Sequence, residues 1–169
     1  MISPDQVLVR ARSALGHKCI YVLGAGGMRP DFPHPWTDTM GCDCSGFAAW
    51  CIGVSRYVSA KNPLVGVFDG EWLETTKIFR DATAASPGAF VQIPWEHASA
   101  SDLLVYPDSP AGQGHIGVVG AVDEGRPMTV IHCSSSNWKK FGDAIQETPI
   151  AEFWHKHGAI VARCSLVVA

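Results

Sequence analysis

The residues of this chain whose chemistry stands out are a cysteine at an expected helix start and two histidines on expected strands. Cys44 lies in Met40-Gly41-Cys42-Asp43-Cys44-Ser45-Gly46-Phe47-Ala48-Ala49-Trp50. Phe47, Trp50, Cys51 and Val54 follow at helical spacing, which predicts a helix over about 44–54 with Asp43 as its N-cap. The free N–H groups of a helix start carry partial positive charge, which favours thiolate over thiol. A cysteine nucleophile also needs a base within hydrogen-bond reach, and that base needs a group to orient it. Of seven histidines, His115 opens the apolar run Ile116-Gly117-Val118-Val119-Gly120 and His132 closes Met128-Thr129-Val130-Ile131. If these two runs pair as a hairpin around residues 123–127, the start of one lies opposite the end of the other, and the two histidines become neighbours.

The elements that must position these groups change character along the chain. Ser3-Pro4-Asp5-Gln6 has an N-cap, a proline at the first helical position and a Gln closing a capping box, so a helix is expected to run to Gly16. Ile20-Tyr21-Val22-Leu23 is a short apolar run, and residues 28–41 form a proline-bearing loop leading to the cysteine. Gly24-Ala25-Gly26-Gly27 lacks the spacing of a phosphate-binding loop. Glu71 to Arg80 is a candidate helix and Pro87 to Pro94 a loop. Short strands then follow at Leu103–Tyr106, Ile116–Val122, Met128–His132, Ala144–Glu147 and Ile160–Val168, with a short helix over Ile150–His157. Helices first and strands later argue for an α+β class in one domain over residues 1–169, with N-terminal helices packed on a central antiparallel sheet.

Composition narrows the function classes. The chain has 169 residues, 47% of them hydrophobic, with a net charge of −3 and Lys139-Lys140 as its one adjacent basic pair, so it is expected to fold around a core and not to bind nucleic acid. No apolar run approaches the roughly 20 residues of a membrane span. Met1 to Gln6 lacks a basic stretch followed by an apolar core, so synthesis without a signal peptide is expected. The six cysteines form no C-x2-C pair, and His155-x-His157 has no evident carboxylate or thiol partner, so neither metal nor cofactor is expected. Reduced thiols are favoured over a disulfide framework in a chain able to build this much core. Cys19, Cys51 and Cys164 read as inert buried thiols, Cys133 as a small core residue and Cys42 as a loop residue.

Three ordered motifs carry a family resemblance. Asp43-Cys44-Ser45-Gly46-Phe47, then Gly114-His115-Ile116-Gly117-Val118, then Val130-Ile131-His132-Cys133-Ser134-Ser135 resemble the NlpC/P60 superfamily of papain-like cysteine peptidases. Tyr21-Val22-Leu23-Gly24 resembles the family's Y-x-x-G segment. Ser101-Asp102-Leu103-Leu104-Val105-Tyr106 is similar to its G-D-L-V-F-F strand, with Ser101 where glycine is usual. Residues 55–100 match nothing in the family and read as one wall of the substrate groove. The resemblance implies a papain-like fold in which Cys44 is the nucleophile, His115 the general base and His132 its orienter, with Asn137 in reserve. Tyr21 would sit beside Cys44 and help hold the oxyanion or substrate, and the Cys44 backbone N–H would donate to the oxyanion. Asp43 and Ser45 contact substrate in some relatives, although Asp43 also suits a helix cap.

The implied activity is a cysteine endopeptidase or amidase acting on peptidoglycan stem peptides, often between D-γ-glutamyl and a diamino acid. Such a domain would act at the bacterial cell wall after release or delivery without a signal peptide, as a phage-type lysis enzyme or a delivered toxin does. In the second case an immunity or inhibitor protein would be a partner. The competing readings are an amidase for a non-wall small amide, a catalytically idle binding module, and a thiol-redox protein using Cys42 and Cys44. The intact Cys-His-His set speaks against the idle module, and the C-x-C spacing against the redox protein.

Overall fold

The computed structural model of the protein describes residues 1–68, 72–110, 112–154 and 158–168. Glu71, the start of one expected helix, and the His155-x-His157 pair lie outside the described residues.

The chain opens as expected. In α1 (Pro4–Ser13) the Ser3 hydroxyl accepts from the Gln6 N–H at 3.2 Å, while the Ser3 N–H donates to Gln6 Oε1 at 2.9 Å. The helix stops at Ser13, short of Gly16, because Leu15 closes back on the Arg12 carbonyl in a tighter turn. Ile20–Tyr21 (β1) then pairs in parallel with Gly41–Cys42 (β2), so Tyr21 lies beside the segment that delivers the cysteine. Helix α2 (Cys44–Cys51) is shorter than the expected 44–54, ending where Gly53 turns with φ of +74°. All of its residues are buried, so its position is set by packing rather than by one amphipathic stripe.

The described residues between 55 and 74 form no regular helix or long strand. They lead into α3 (Thr75–Ala82), which begins later than expected because Glu74 is its cap, accepting from the Thr76 and Lys77 N–H groups. The sheet follows: β3 (Phe90–Ile93), β4 (Leu103–Tyr106), β5 (His115–Asp123), β6 (Arg126–Cys133), β7 (Ile145–Pro149) and β8 (Ile160–Cys164). Its order is β3-β8-β4-β5-β6-β7, antiparallel throughout. The architecture is α+β.

Three expectations are corrected here. The stretch Pro87–Pro94 contains edge strand β3, which is recruited by pairing with β8 even though Pro94 follows it directly. Helix α4 (Ser135–Phe141) occupies a stretch with no expected helix; Ser134 caps it and Gly142, with φ of +69°, ends it. The last strand ends at Cys164 rather than Val168. Of the helix expected over Ile150–His157, the described part is α5 (Ala151–Trp154).

The sheet has a packed face on each side. Leu103, Val105, Ile116, Val118, Ile131 and Cys133 join α1, α2 and α3 in the main core. Leu104, Val119, Val130 and Val161 form a smaller core with Phe153 of α5. No helix among the described residues is long and apolar enough to cross a membrane.

Candidate active site

The start of α2 is held by an ionic clamp. Asp43 caps the helix, its Oδ1 accepting from the Gly46 N–H at 2.8 Å, while Oδ2 accepts from the Gly24 N–H at 2.7 Å. The same carboxylate pairs with Arg56 Nη2 at 2.8 Å, and both side chains are buried. Arg56 Nη2 also donates to Ser45 Oγ at 2.9 Å and Nη1 to the Ala25 carbonyl at 3.1 Å, while the guanidinium lies 4.6 Å over the Trp72 ring. Asp43 and Ser45 are thus committed first to holding the start of α2, and with it Cys44, in place. Arg56 is the residue that sequence reasoning missed, since an arginine beyond the helix has no spacing signal that ties it to Asp43. Gly46 has a steric reason: a Cβ there would come within 2.6 Å of the Ala25 carbonyl oxygen and 2.8 Å of that of Gly26.

The histidines meet as the hairpin argument expects. Strands β5 and β6 pair with Val118 opposite Ile131, a register that sets Gly117 across from His132 and His115 on its diagonal. His115 Nε2 lies 2.8 Å from His132 Nδ1. Gly117 makes the approach possible, because a Cβ there would lie 2.5 Å from Val130 Cγ2 and 2.9 Å from His132 Cβ. His132 Nε2 lies 3.0 Å from Thr148 Oγ1 on β7. Asn137 Nδ2 stands 3.4 Å from the same nitrogen but also donates to the His132 and Ala144 carbonyls, so Asn137 buttresses His132 rather than replacing it. Phe153 packs against both imidazoles, at 5.1 Å and 5.5 Å between ring centroids.

Cysteine and histidines face one divided cleft. A lobe of about 120 Å³ is lined by Cys44, Asp43, Ser45, Arg56, Glu74 and Thr75. A lobe of about 210 Å³ is lined by His115, His132, Tyr106, Ser134, Asn137 and Phe153. Tyr21, Gln113 and Gly114 border both lobes. The Gly114 N–H donates to Asp108, whose other oxygen accepts from Thr76 of α3, so α3 braces this dividing loop. Arg56, Glu74 and Thr75, from the stretch expected to wall a substrate groove, line the Cys44 lobe. A larger apolar groove of about 460 Å³ runs from the N-terminus to Ile52–Val54, and its lining contains no nucleophile.

The electrostatics correct the expected thiolate. Burial pushes the Cys44 thiol up to about 12, and the Asp43 carboxylate adds to the rise; the Ile116 amide, Arg56 and the Ser45 amide pull the other way and lose. Desolvation of the charged form outweighs the partial charge of a helix start. Ile116, one residue beyond His115 on β5, shares the main core with Cys44. Burial holds His115 well below the ordinary histidine value, reinforced by its neighbour His132. Burial brings His132 down to about 4. Tyr21 is pushed up by burial first and then by Cys44 and Asp43, so its hydroxyl stays protonated. At neutral pH the site holds a neutral thiol, two neutral imidazoles and a phenol able to donate.

The other cysteines are free and buried. Cys42 is a strand residue of β2, not a loop residue, and its side chain interacts with those of Cys19 and Cys133 in the core. Among the described residues no group of three or more His, Cys, Asp or Glu side chains is arranged to hold a metal ion. His17 and His34 pack against Trp36, away from the cleft. No family model matches the chain, and a search of curated proteins finds no match either.

Proposed function

We propose that this chain is a papain-like cysteine endopeptidase or amidase of NlpC/P60 type that hydrolyses amide bonds in peptidoglycan stem peptides at the bacterial cell wall. The observation that carries the reading is the pair of neutral histidines, His115 Nε2 to His132 Nδ1 at 2.8 Å, at a cleft that also contains a cysteine on the first turn of a helix.

The chemistry starts from neutral partners. Nε2 of His115 is engaged by His132, so Nδ1 is the nitrogen left to take the Cys44 proton as the sulfur attacks the substrate carbonyl. The proton moves with the attack, because a preformed thiolate is disfavoured by burial. The tetrahedral oxyanion is met by the Cys44 N–H at the helix start and by the Tyr21 hydroxyl. His115 then returns the proton to the leaving amine, leaving a Cys44 thioester that water hydrolyses with His115 again as base. Glu74 and Asp108 add carboxylates to the Cys44 lobe, which suits the amines of a stem peptide better than an anionic substrate.

Mass spectrometry of purified muropeptides after incubation tests activity and locates the bond together. The wild type is expected to cleave an amide of the peptide stem, with the D-γ-glutamyl–diamino acid bond the first candidate. Cys44→Ala is expected to abolish cleavage, and His115→Ala to lower turnover by about 10²–10⁴-fold. Cys42→Ala is expected to leave turnover within about threefold. Full turnover by Cys44→Ala would overturn the mechanism.

A further inference from the structure

The chain of hydrogen bonds does not stop at His132. We infer that Thr148 is a positioning residue of the catalytic set: it supplies the acceptor that an Nε2–H on His132 needs, and so supports the tautomers that leave His115 Nδ1 free to take the thiol proton. This rests on the cysteine–histidine reading above and extends it to a residue outside the motifs.

Two neutral imidazoles joined at 2.8 Å share one hydrogen, which can sit either way. In one arrangement His115 donates from Nε2, His132 accepts at Nδ1 and carries its own hydrogen at Nε2, and His115 Nδ1 bears a lone pair. In the other, His132 donates from Nδ1, its Nε2 is bare, and His115 carries its hydrogen at Nδ1, where it blocks proton transfer from the thiol. The choice depends on what faces His132 Nε2. Thr148 Oγ1, buried and 3.0 Å away, can accept from an Nε2–H there or, with its hydroxyl turned, donate to a bare Nε2, and it is the one side chain on this nitrogen able to accept. Asn137 Nδ2, at 3.4 Å, can only donate, and it is already directed at two carbonyls. Remove the hydroxyl and a buried Nε2–H loses its acceptor, while the bare nitrogen still faces an amide donor. The balance then moves to the blocked arrangement. The placement follows from register: Gln146 sits opposite His132 and Thr148 opposite Val130, so Thr148 reaches His132 on the diagonal of one sheet face.

The experiment compares wild type, Thr148→Val, Thr148→Ala, Thr148→Ser and His115→Ala by two readouts that need no substrate. The first is the rate of Cys44 alkylation by iodoacetamide at pH 7, counted per folded molecule. The second is the imidazole 15N spectrum, which reports which nitrogen of each histidine is protonated. In wild type, His132 is expected to be protonated at Nε2 and His115 at Nε2. Thr148→Val and Thr148→Ala are expected to slow alkylation about 10- to 100-fold, less than the roughly 10²–10⁴ of a whole general base, and to move the His132 hydrogen to Nδ1. Thr148→Ser is expected to restore both. Wild-type alkylation rates and tautomers in whichever of the Val and Ala variants folds would overturn the role of Thr148, and a lowered melting point alone would not rescue it. If His115→Ala also alkylates at the wild-type rate, the cysteine–histidine reading fails. If His115→Ala is slow and the Thr148 variants are not, only Thr148 drops out.

Discussion

Cys44 and His115 are held by devices of opposite character. On the helix side the hold is ionic: Asp43, Arg56 and Ser45 form a buried charged network that fixes backbone. On the sheet side the hold is neutral: half-buried His115 and buried His132 and Thr148 form a line of hydrogen bonds that fixes the direction of two rings. A buried charge pair fixes geometry when its partners are hydrogen-bonded, as the Asp43 carboxylate is by Gly24, Gly46 and Arg56. An imidazole proposed to accept a proton, as His115 is, cannot be treated so. A carboxylate beside His115 would raise its affinity for protons and fill the lone pair at rest. The lesson is that rigidity and basicity are supplied separately, by groups that do not share charge.

Breaking the ionic side should cost stability most. Arg56→Met leaves the Asp43 carboxylate buried and unpaired, and a loss of about 3 kcal/mol in urea unfolding is expected, the lower end for such pairs because Gly24 and Gly46 still donate to it. A loss under about 1 kcal/mol would mean that the clamp is replaceable. Disturbing the neutral side should instead cost turnover. Gly117→Ala pushes a methyl into Val130 and His132, and about a 10²-fold fall in turnover is expected, with a stability loss of 1–3 kcal/mol at most. If turnover were unchanged in steady-state assays, the histidine geometry would be looser than the 2.8 Å contact suggests.

Acidification separates the two sides as well. His132 and His115 titrate lower in the folded chain than the ordinary value near 6.5 of an unfolded one. Their contribution to stability is therefore complete above about pH 6.5 and is lost as pH falls, because the unfolded chain takes up protons that the folded one refuses. Each such histidine costs about 1.4 kcal/mol per pH unit, down to about pH 4 for His132. Urea midpoints measured between pH 7 and 4 should show this slope, and His132→Gln should flatten it. An unchanged slope in that variant would assign the acid limb to other groups.

Much of the site was legible because it is local or nearly so. Asp43 before Cys44 announces a helix start by type and spacing, and the approach of His115 to His132 follows from a hairpin that one turn determines. Strand β3 and helix α4 were not legible. The first has no alternation of its own and exists because β8 offers it an edge; the second is a short polar helix whose caps, Ser134 and Gly142, resemble a turn. The cysteines divide the same way. Cys42 and Cys44 are two residues apart, yet one lies in the core with Cys19 and Cys133 and the other faces the cleft.

By itself the sequence determined which residues stand at helix starts and strand ends, since capping and side-chain alternation act within a few residues. The protonation state of the site was decided by tertiary structure alone. A helix start argues for a thiolate at Cys44, but the packing of β5, Tyr21 and the Asp43–Arg56 pair around it removes water, and the loss of hydration outweighs the partial charge of the helix. The partners Arg56 and Thr148 were set in the same way, because contacts across a clamp or a sheet come from chain segments whose separation carries no periodic signal.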